Sequence, residues 1–189
     1  MQISTHLCEK FKKVKLLLMD VDGILNDGRV YYVPFPNGEI KIAKFFNVRD
    51  GLGINLLRAV GIKIGVITGR SDEVVLKRCQ DLKCAFIKMG VKNKLAALEE
   101  ALKTFNLTAE EVCYIGDDWN DFPVLKAVGV SATVADAPAE IKEVVDYITT
   151  KKGGDGAVRE LIEVILKCQN RFEEAVSIFL QKLEKGEKP

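Results

Sequence analysis

The chain has 189 residues, 48 % of them hydrophobic, and its 28 basic residues nearly balance its 27 acidic residues. This length and composition suit one α/β domain with a sizeable core and exclude a disordered chain. Proteins that bind nucleic acid through its phosphates usually carry a strong basic excess, so the net charge of +1 argues against that class.

Short apolar runs alternate with helical patterns along the chain. The predicted strands lie at residues 14–19, 62–68, 84–87, 111–116, 130–135 and 146–149. The predicted helices lie at about 51–60, 72–82, 93–105, 119–128, 138–145 and 156–168. This alternation predicts an α/β fold of three layers, Rossmann-like, in which a parallel sheet has helices on both faces.

Two segments depart from this alternation. Residues 29–46 contain two extended runs around a Pro-Asn-Gly turn signal, which predicts a β-hairpin inserted after the first strand. Residues 171–185 show an amphipathic helical pattern. We therefore expect a single domain over residues 1–170, with the hairpin at about 29–46, and a C-terminal helical tail at 171–189. The tail would pack on the domain or on a neighbouring subunit.

Cysteine usage and the lengths of the apolar runs bear on location. The five cysteines are odd in number and form no C-x-x-C pair, and His6 is the one histidine. This pattern argues against a zinc site and favours a reducing compartment. The N-terminus has no apolar stretch of signal-peptide length, and no run approaches the ~20 apolar residues of a membrane span. We expect a cytoplasmic protein without a membrane partner.

Polar residues stand at the ends of three predicted strands, those at 14–19, 62–68 and 111–116. In an open parallel sheet, ligands bind outside the carboxyl ends of the strands, so these residues should converge at one edge. In chain order they are Asp20, Asp22, Thr68, Gly69, Arg70, Gly116, Asp117, Asp118 and Asp121.

The two aspartates after the first strand predict a metal site. Residues two apart on an extended chain point to the same side, so Asp20 and Asp22 would repel each other. A hard divalent cation such as Mg²⁺ removes this repulsion and keeps coordination sites for water and a substrate phosphate. Asp117 could supply a further oxygen. A turn or helix-cap role for the DxDG segment stays open, whereas an EF-hand loop is excluded because Leu25 stands where that loop needs glycine.

Thr68 and Lys94 are candidate phosphate-binding residues. The Thr68 hydroxyl and the adjacent backbone N–H groups suit a phosphate oxygen, and Lys94 would add a positive charge at the start of a predicted helix. Two alternatives stay open. The residues after Thr68 could form a strand-to-helix turn capped by Ser71 or Asp72, and Lys94 could be a solvated surface lysine.

Four motifs occur here in the order found in the haloacid dehalogenase superfamily of phosphatases: DVDGILNDG, ITGR, the lysine at 94, and GDDWND. The segments FFNVRDGLGI, GVKNKL and GGDGAVRE narrow the resemblance to the family of 3-deoxy-D-manno-octulosonate 8-phosphate phosphatases. The resemblance extends from about residue 12 to residue 168. The chain departs from the family at Asn26, where Thr or another small polar residue is usual.

The resemblance implies phosphoryl transfer through an aspartyl-phosphate. Asp20 would be the nucleophile. Asp22 would be the general acid that protonates the leaving alkoxide, and then the base that activates water. Thr68 and Lys94 would hold the phosphate oxygens and neutralise their charge.

The resemblance also implies a Mg²⁺ cofactor. The side chains of Asp20 and Asp117 and the backbone carbonyl of Asp22 would bind the ion. Asp118 and Asp121 would orient these ligands.

Arginines in excess of what one phosphate requires indicate a second anionic group on the substrate. Arginine suits bidentate recognition of a carboxylate, so we expect a sugar acid phosphate. Arg78 could instead be a surface charge on the predicted helix 72–82. The resemblance implies substrate contacts at Asp22, Asn47, Val48, Arg49, Asp50, Gly51, Arg70, Arg78 and Lys94.

Members of this family lack an inserted cap domain, and this chain has no room for one. The resemblance implies a homotetramer in which neighbouring subunits cover each site. The hairpin would be the contact element, because its apolar residues would otherwise form an exposed patch. Alternatively, the hairpin folds onto its own domain.

Three other functions are weighed against this one. The substrate could be a nine-carbon sugar acid phosphate of the neuraminate type. A receiver domain of a signalling relay has a similar topology and an Asp/Thr/Lys set, but its phosphorylated aspartate follows a later strand. A catalytically silent binding module is disfavoured because all four motifs are present.

Overall fold

The computed structural model describes residues 3–187, which contain a six-stranded parallel sheet, a two-stranded hairpin and helices on both faces of the sheet. The strands are β1 (Leu16–Met19), β2 (Tyr31–Pro34), β3 (Ile40–Ala43), β4 (Lys63–Ile67), β5 (Phe86–Lys88), β6 (Val112–Ile115), β7 (Val130–Thr133) and β8 (Tyr147–Ile148). The α-helices are α1 (Thr5–Lys12), α2 (Val48–Ala59), α3 (Glu73–Asp81), α4 (Lys94–Phe105), α5 (Phe122–Leu125), α6 (Ala139–Lys142), α7 (Ala157–Cys168) and α8 (Phe172–Glu184). The predicted three-layer α/β fold is confirmed.

The strand order is β5-β4-β1-β6-β7-β8, with all neighbours parallel. The chain leaves β1 to build β4 and β5 on one side, and later returns to add β6, β7 and β8 on the other. Such a reversal beside a central strand opens a crevice at the carboxyl ends of the strands. All four residues of β1 are buried, which explains why this strand is apolar throughout.

Two helices are shorter than predicted, and one was missed. The helix predicted at 119–128 is limited to α5, because Asp121 accepts hydrogen bonds from two preceding backbone N–H groups and holds that segment as a turn. The helix predicted at 138–145 is limited to α6. Helix α1 was not predicted. It buries only Phe11 fully, so its apolar pattern is weak, although Ser4 caps its first turn.

The predicted hairpin is present as the antiparallel pair of β2 and β3. Its side chains stand largely in solvent. Tyr32 is 68 % exposed and Ile40 is 65 % exposed. Their register places these two side chains on the same face of the hairpin, because Pro34 pairs with Ile40 and lies two residues from Tyr32.

The C-terminal helix α8 folds against the body of the same chain. Ala175 is buried, and the Arg171 guanidinium donates a 2.8 Å hydrogen bond to the Val60 carbonyl at the end of α2. Of the two packing modes expected for the tail, the structure shows packing on its own chain. The boundary between domain and tail near residue 170 stays a prediction.

Cys8 of α1 and Cys168 of α7 form a disulfide, which the expectation of a reducing compartment did not include. Cys79, Cys84 and Cys113 are unpaired within residues 3–187. Over the same residues, no helix combines the length and the apolar character that crossing a membrane requires.

The central strand should dominate the stability of the fold. We expect Leu17→Ala to lower the free energy of unfolding by about 2–5 kcal/mol, because Leu17 is fully buried and its truncation leaves a cavity. The matched control is Leu180→Ala on α8, where the side chain is 51 % exposed and the change should stay within about 0.5 kcal/mol. Urea unfolding measures both variants. Equal effects at the two positions would contradict this account of the core.

Candidate active site

The polar residues at the strand ends converge on one cavity of about 310 Å³. It lies beyond the carboxyl ends of β1, β4 and β6, as the order of the motifs predicted. The residues that line it are Asp20, Asp22, Gly28, Thr68, Gly69, Arg70, Asp117, Asp118 and Asn120.

Lys94 lies beside this cavity, where two carboxylates hold it. Its Nζ lies 2.9 Å from Asp20 Oδ2 and 2.6 Å from Asp121 Oδ1. Burial by itself would lower the pKa of Lys94, but the charges of Asp20 and Asp121 raise this pKa above its ordinary value. With an exposed fraction of 4 %, Lys94 is a charged component of the interior and not a solvated surface lysine.

The buried carboxylate of Asp121 holds the loop after β6 in place. Its carboxylate accepts hydrogen bonds from the backbone N–H groups of Asp117 at 3.1 Å and Asp118 at 3.3 Å. It also accepts a hydrogen bond from the Tyr114 hydroxyl. Sequence reasoning missed Tyr114. The available signal was a tyrosine within the buried strand β6, because a buried phenol needs a hydrogen-bond partner.

Asp117 projects from the end of β6 towards the DxDG loop. The backbone of Gly23 has a φ of +89°, and a Cβ there would lie 2.1 Å from Asp117 Oδ2. Only glycine gives the loop both the left-handed conformation and the space for this carboxylate. The glycine of DxDG is therefore required by the close approach of the loop to Asp117.

The carboxylates of Asp20, Asp117 and Asp121 fit a hard cation. Each offers an oxygen within 4.8 Å of the other two. Asp20 Oδ1 and Asp117 Oδ1 are buried, and neither has a hydrogen-bond partner among the residues that the structure describes. Asp121, in contrast, already accepts hydrogen bonds from several donors. Asp20 and Asp117 are thus the oxygens free for an ion, and hard divalent cations prefer such ligands.

The carboxylates of Asp20 and Asp117 carry raised pKa values. Burial and the neighbouring Asp121 charge together raise the pKa of Asp20 to about 6, against the opposing effect of Lys94. Burial also raises the pKa of Asp117 to about 8, with added repulsion from Asp20, Asp121 and Asp118. A cation bound between Asp20 and Asp117 would displace these protons and offset the repulsion.

Asp22 lies on the same cavity but is held by different partners. The chain leaves the extended conformation after β1, so its carboxylate does not share the Asp20 cluster as strand alternation would suggest. Asp22 Oδ1 accepts hydrogen bonds from Asn26 Nδ2 at 2.8 Å and Lys44 Nζ at 2.7 Å. Lys44 was missed by sequence reasoning. It follows directly on the hairpin, and nothing in its local pattern distinguishes it from an exposed hairpin lysine such as Lys41.

Thr68 and Arg70 line the cavity beyond the end of β4. Thr68 is buried, and its hydroxyl accepts a weak 3.4 Å hydrogen bond from the Arg70 backbone N–H. Arg70 is half exposed, and its Nε lies 3.5 Å from Asp22 Oδ2. This side of the cavity thus offers a hydroxyl and a guanidinium to an entering anion.

The remaining predicted substrate contacts lie outside this cavity. Arg49 lines a separate cavity beside α7, and Val48, Gly51 and Arg78 line a third cavity between α2 and α3. Their roles as substrate contacts stay predictions.

Two of these outlying positions have clear contacts within the chain. The buried Asp50 accepts a 2.8 Å hydrogen bond from the Arg159 backbone N–H in the first turn of α7. Arg78 donates a 3.2 Å hydrogen bond to the Asn47 carbonyl and lies over the Phe46 ring. Arg78 therefore has defined contacts and is not simply a surface charge.

Comparison with known proteins agrees with this geometry. The model of the haloacid dehalogenase-like hydrolase family matches residues 84–161. The 3-deoxy-D-manno-octulosonate 8-phosphate phosphatase KdsC of Salmonella typhi is 41 % identical over 173 residues, which is 92 % of this chain and 90 % of that protein. The chain belongs to the family of 3-deoxy-D-manno-octulosonate 8-phosphate phosphatases, within the haloacid dehalogenase-like hydrolases.

Solved structures of this family superimpose closely. The phosphatase from Moraxella catarrhalis, in complex with a magnesium ion, a phosphate ion and KDO, is 40 % identical with a TM-score of 0.85, and covers 92 % of this chain and 98 % of its own. The cobalt-bound phosphatase from Haemophilus influenzae is 38 % identical with a TM-score of 0.83, and covers 90 % of this chain and 99 % of its own.

Cation binding should depend on pH. Because the pKa of Asp117 is raised to about 8, protons compete with a cation below that value, and Mg²⁺ affinity should fall at least roughly tenfold between about pH 9 and about pH 6. Isothermal titration calorimetry on metal-free protein measures the affinity. Asp117→Asn should remove most of the binding, whereas Glu99→Gln on the exposed face of α4 should not change it. An affinity that is constant over this range would contradict the assignment.

Proposed function

We propose that this protein is a Mg²⁺-dependent phosphatase that hydrolyses 3-deoxy-D-manno-octulosonate 8-phosphate to the free sugar acid and inorganic phosphate, a step of lipopolysaccharide precursor biosynthesis. One observation carries the proposal. At the sheet's switch point, Asp20 and Asp117 each have a buried carboxylate oxygen without a hydrogen-bond partner among residues 3–187, and the buried ammonium of Lys94 lies 2.9 Å from Asp20. The family relationship, at 41 % identity over 92 % of the chain, indicates the substrate.

The first chemical step transfers the phosphoryl group to Asp20. A carboxylate oxygen of Asp20 attacks phosphorus, and the bond between phosphorus and the sugar oxygen breaks. Asp22 gives a proton to that oxygen, so the sugar leaves as a neutral alcohol. Lys94 lies 2.9 Å from Asp20 Oδ2 and holds the nucleophile in place. Together with Thr68, it also stabilises the charge on the phosphate oxygens.

The second step releases phosphate. Asp22, now a carboxylate, takes a proton from a water molecule, whose oxygen attacks the phosphorus of the aspartyl-phosphate. The bond between phosphorus and the Asp20 oxygen breaks, and Asp20 returns as a carboxylate. A Mg²⁺ ion held by Asp20, Asp117 and the Asp22 carbonyl would supply charge neutralisation and orientation for the phosphate. Asp118 and Asp121 would keep these ligands in position.

Substrate recognition at the cavity starts with Arg70. It is the arginine that lines the cavity with the catalytic carboxylates, and its guanidinium suits a carboxylate or phosphate. Arg49 and Arg78 lie on other surfaces of the same chain. They would contact this substrate only if it extends beyond the cavity; otherwise they would contact a substrate bound by a neighbouring subunit.

We infer that the protein assembles as a homotetramer. The exposed apolar hairpin and the open cavity support this inference, because water must be kept from the aspartyl-phosphate. The cytoplasmic location stays a prediction.

Activity on a panel of sugar acid phosphates tests the proposed function. With Mg²⁺, we expect the eight-carbon 8-phosphate to give the highest kcat/KM, and a nine-carbon 9-phosphate to react more slowly. Asp20→Asn should abolish phosphate release while circular dichroism shows an intact fold, because it removes the nucleophile. Glu99→Gln, at an exposed carboxylate of α4, is the control and should retain full activity. Turnover by the Asp20 variant, or preference for the nine-carbon ester, would refute the corresponding assignment.

Assembly is tested on the hairpin. The double variant Tyr32→Lys, Ile40→Glu should dissociate the oligomer, because it places charge on two exposed apolar positions of one hairpin face. Light scattering measures the mass. The kcat/KM for the sugar acid phosphate should fall more than that for a small phosphate ester, which needs little from a neighbour. Leu180→Lys on α8 is the control. A fully active monomer would show that the site is closed in another way.

A further inference from the structure

Lys44 is a buried ammonium beside the cavity. Its side chain is 0 % exposed, and its Nζ lies 2.7 Å and 2.9 Å from the two carboxylate oxygens of Asp22. It also lies 2.6 Å from Asp72 Oδ2, at the start of α3. A lysine taken wholly out of water is costly unless carboxylates compensate it, and here two of them do.

The contacts of Lys44 fix the orientation of the Asp22 side chain. One ammonium donates to both oxygens, and Asn26 donates a further 2.8 Å hydrogen bond to Oδ1. Asn26 is itself buried and accepts a hydrogen bond from the Gly28 backbone N–H at 2.8 Å. The carboxylate is thus held by the DxDG loop on one side and by the residue after β3 on the other.

We infer that Lys44 is a positioning residue for proton transfer by Asp22. The inference rests on the proposed function, in which Asp22 donates a proton to the leaving oxygen and later takes one from water. Lys44 does not line the cavity and acts through Asp22. It holds in a fixed orientation a carboxylate that lines the cavity, and a fixed orientation matters because proton transfer requires hydrogen-bond reach to the reacting atom.

The position of Lys44 in the chain links Asp22 to the hairpin. Lys44 is the residue directly after β3, and Phe45 that follows it packs against Tyr31 of β2 with ring centroids 5.1 Å apart. A displacement of the hairpin would therefore also move the backbone that carries the Lys44 ammonium. The hairpin is in this way part of the support of the general acid.

The chemistry of the leaving group separates a positioning role from a purely structural one. A sugar alkoxide is a poor leaving group and needs the proton that Asp22 donates. The 4-nitrophenolate anion is stable and leaves without it. The kcat/KM value reports steps up to the first irreversible one, the transfer to Asp20, so the later use of Asp22 as a base does not enter the comparison.

The test compares Lys44→Met with the wild-type enzyme on the sugar acid phosphate and on 4-nitrophenyl phosphate. We expect kcat/KM to fall about 100-fold on the sugar acid phosphate and about threefold on the aryl ester, since general acid catalysis contributes roughly 10²–10⁴. Lys77→Met is the matched control. It removes an exposed lysine of α3 that pairs with Asp81, and should leave both values unchanged.

A second variant covers the case in which Lys44→Met does not fold. Lys44→Met combined with Asp72→Asn also removes one of the two carboxylates left unpaired, and should give the same split between substrates. An equal fall on both substrates, in whichever variant folds, would overturn the inference and leave Lys44 a structural residue. A wild-type enzyme without activity on the sugar acid phosphate would instead refute the proposed function.

Discussion

The ion pair of Lys94 with Asp20 and Asp121 is the interaction on which the site depends. The chain brings several carboxylates to the end of a buried sheet, where burial and mutual repulsion oppose their charge. A cation from α4 compensates two of them at 2.9 Å and 2.6 Å. The first residue of α4 thus reaches both Asp20 and the carboxylate of Asp121, which holds the loop after β6. Without this ammonium the pKa values of Asp20 and Asp117 would be raised further, because Lys94 lowers both.

The site divides its positive charge between two buried lysines. Lys94 forms ion pairs with Asp20 and Asp121, and Lys44 forms ion pairs with Asp22 and Asp72. The two aspartates of the DxDG loop therefore face different cations, although they are only two residues apart. Because the two carboxylates have different charged neighbours, they can take different chemical roles in one cavity.

Two unsatisfied oxygens at the cavity mark where the protein is built for a ligand and not for stability. Buried polar atoms normally find partners, so the oxygens of Asp20 and Asp117 that have none among residues 3–187 represent a cost that an ion would offset. The tight contact between Gly23 and the Asp117 carboxylate shows how closely the backbone is fitted around that position. The loop that follows the central strand thus also lies against the carboxylate at the end of β6.

The sequence by itself determined the sheet, its strand ends and the carboxylates after β1 and β6. Apolar runs and turn signals can be identified from residues close together in the sequence. Neighbouring parallel strands have their carboxyl ends at the same edge of the sheet. Only the tertiary structure decided that Lys44 and Tyr114 belong to the site and that Arg49 and Arg78 lie on other surfaces. Lys44 lies 22 residues from Asp22. Pairing across such a distance depends on how the chain returns to the loop after β1, and nothing in the local pattern around Lys44 distinguishes a buried lysine from an exposed one.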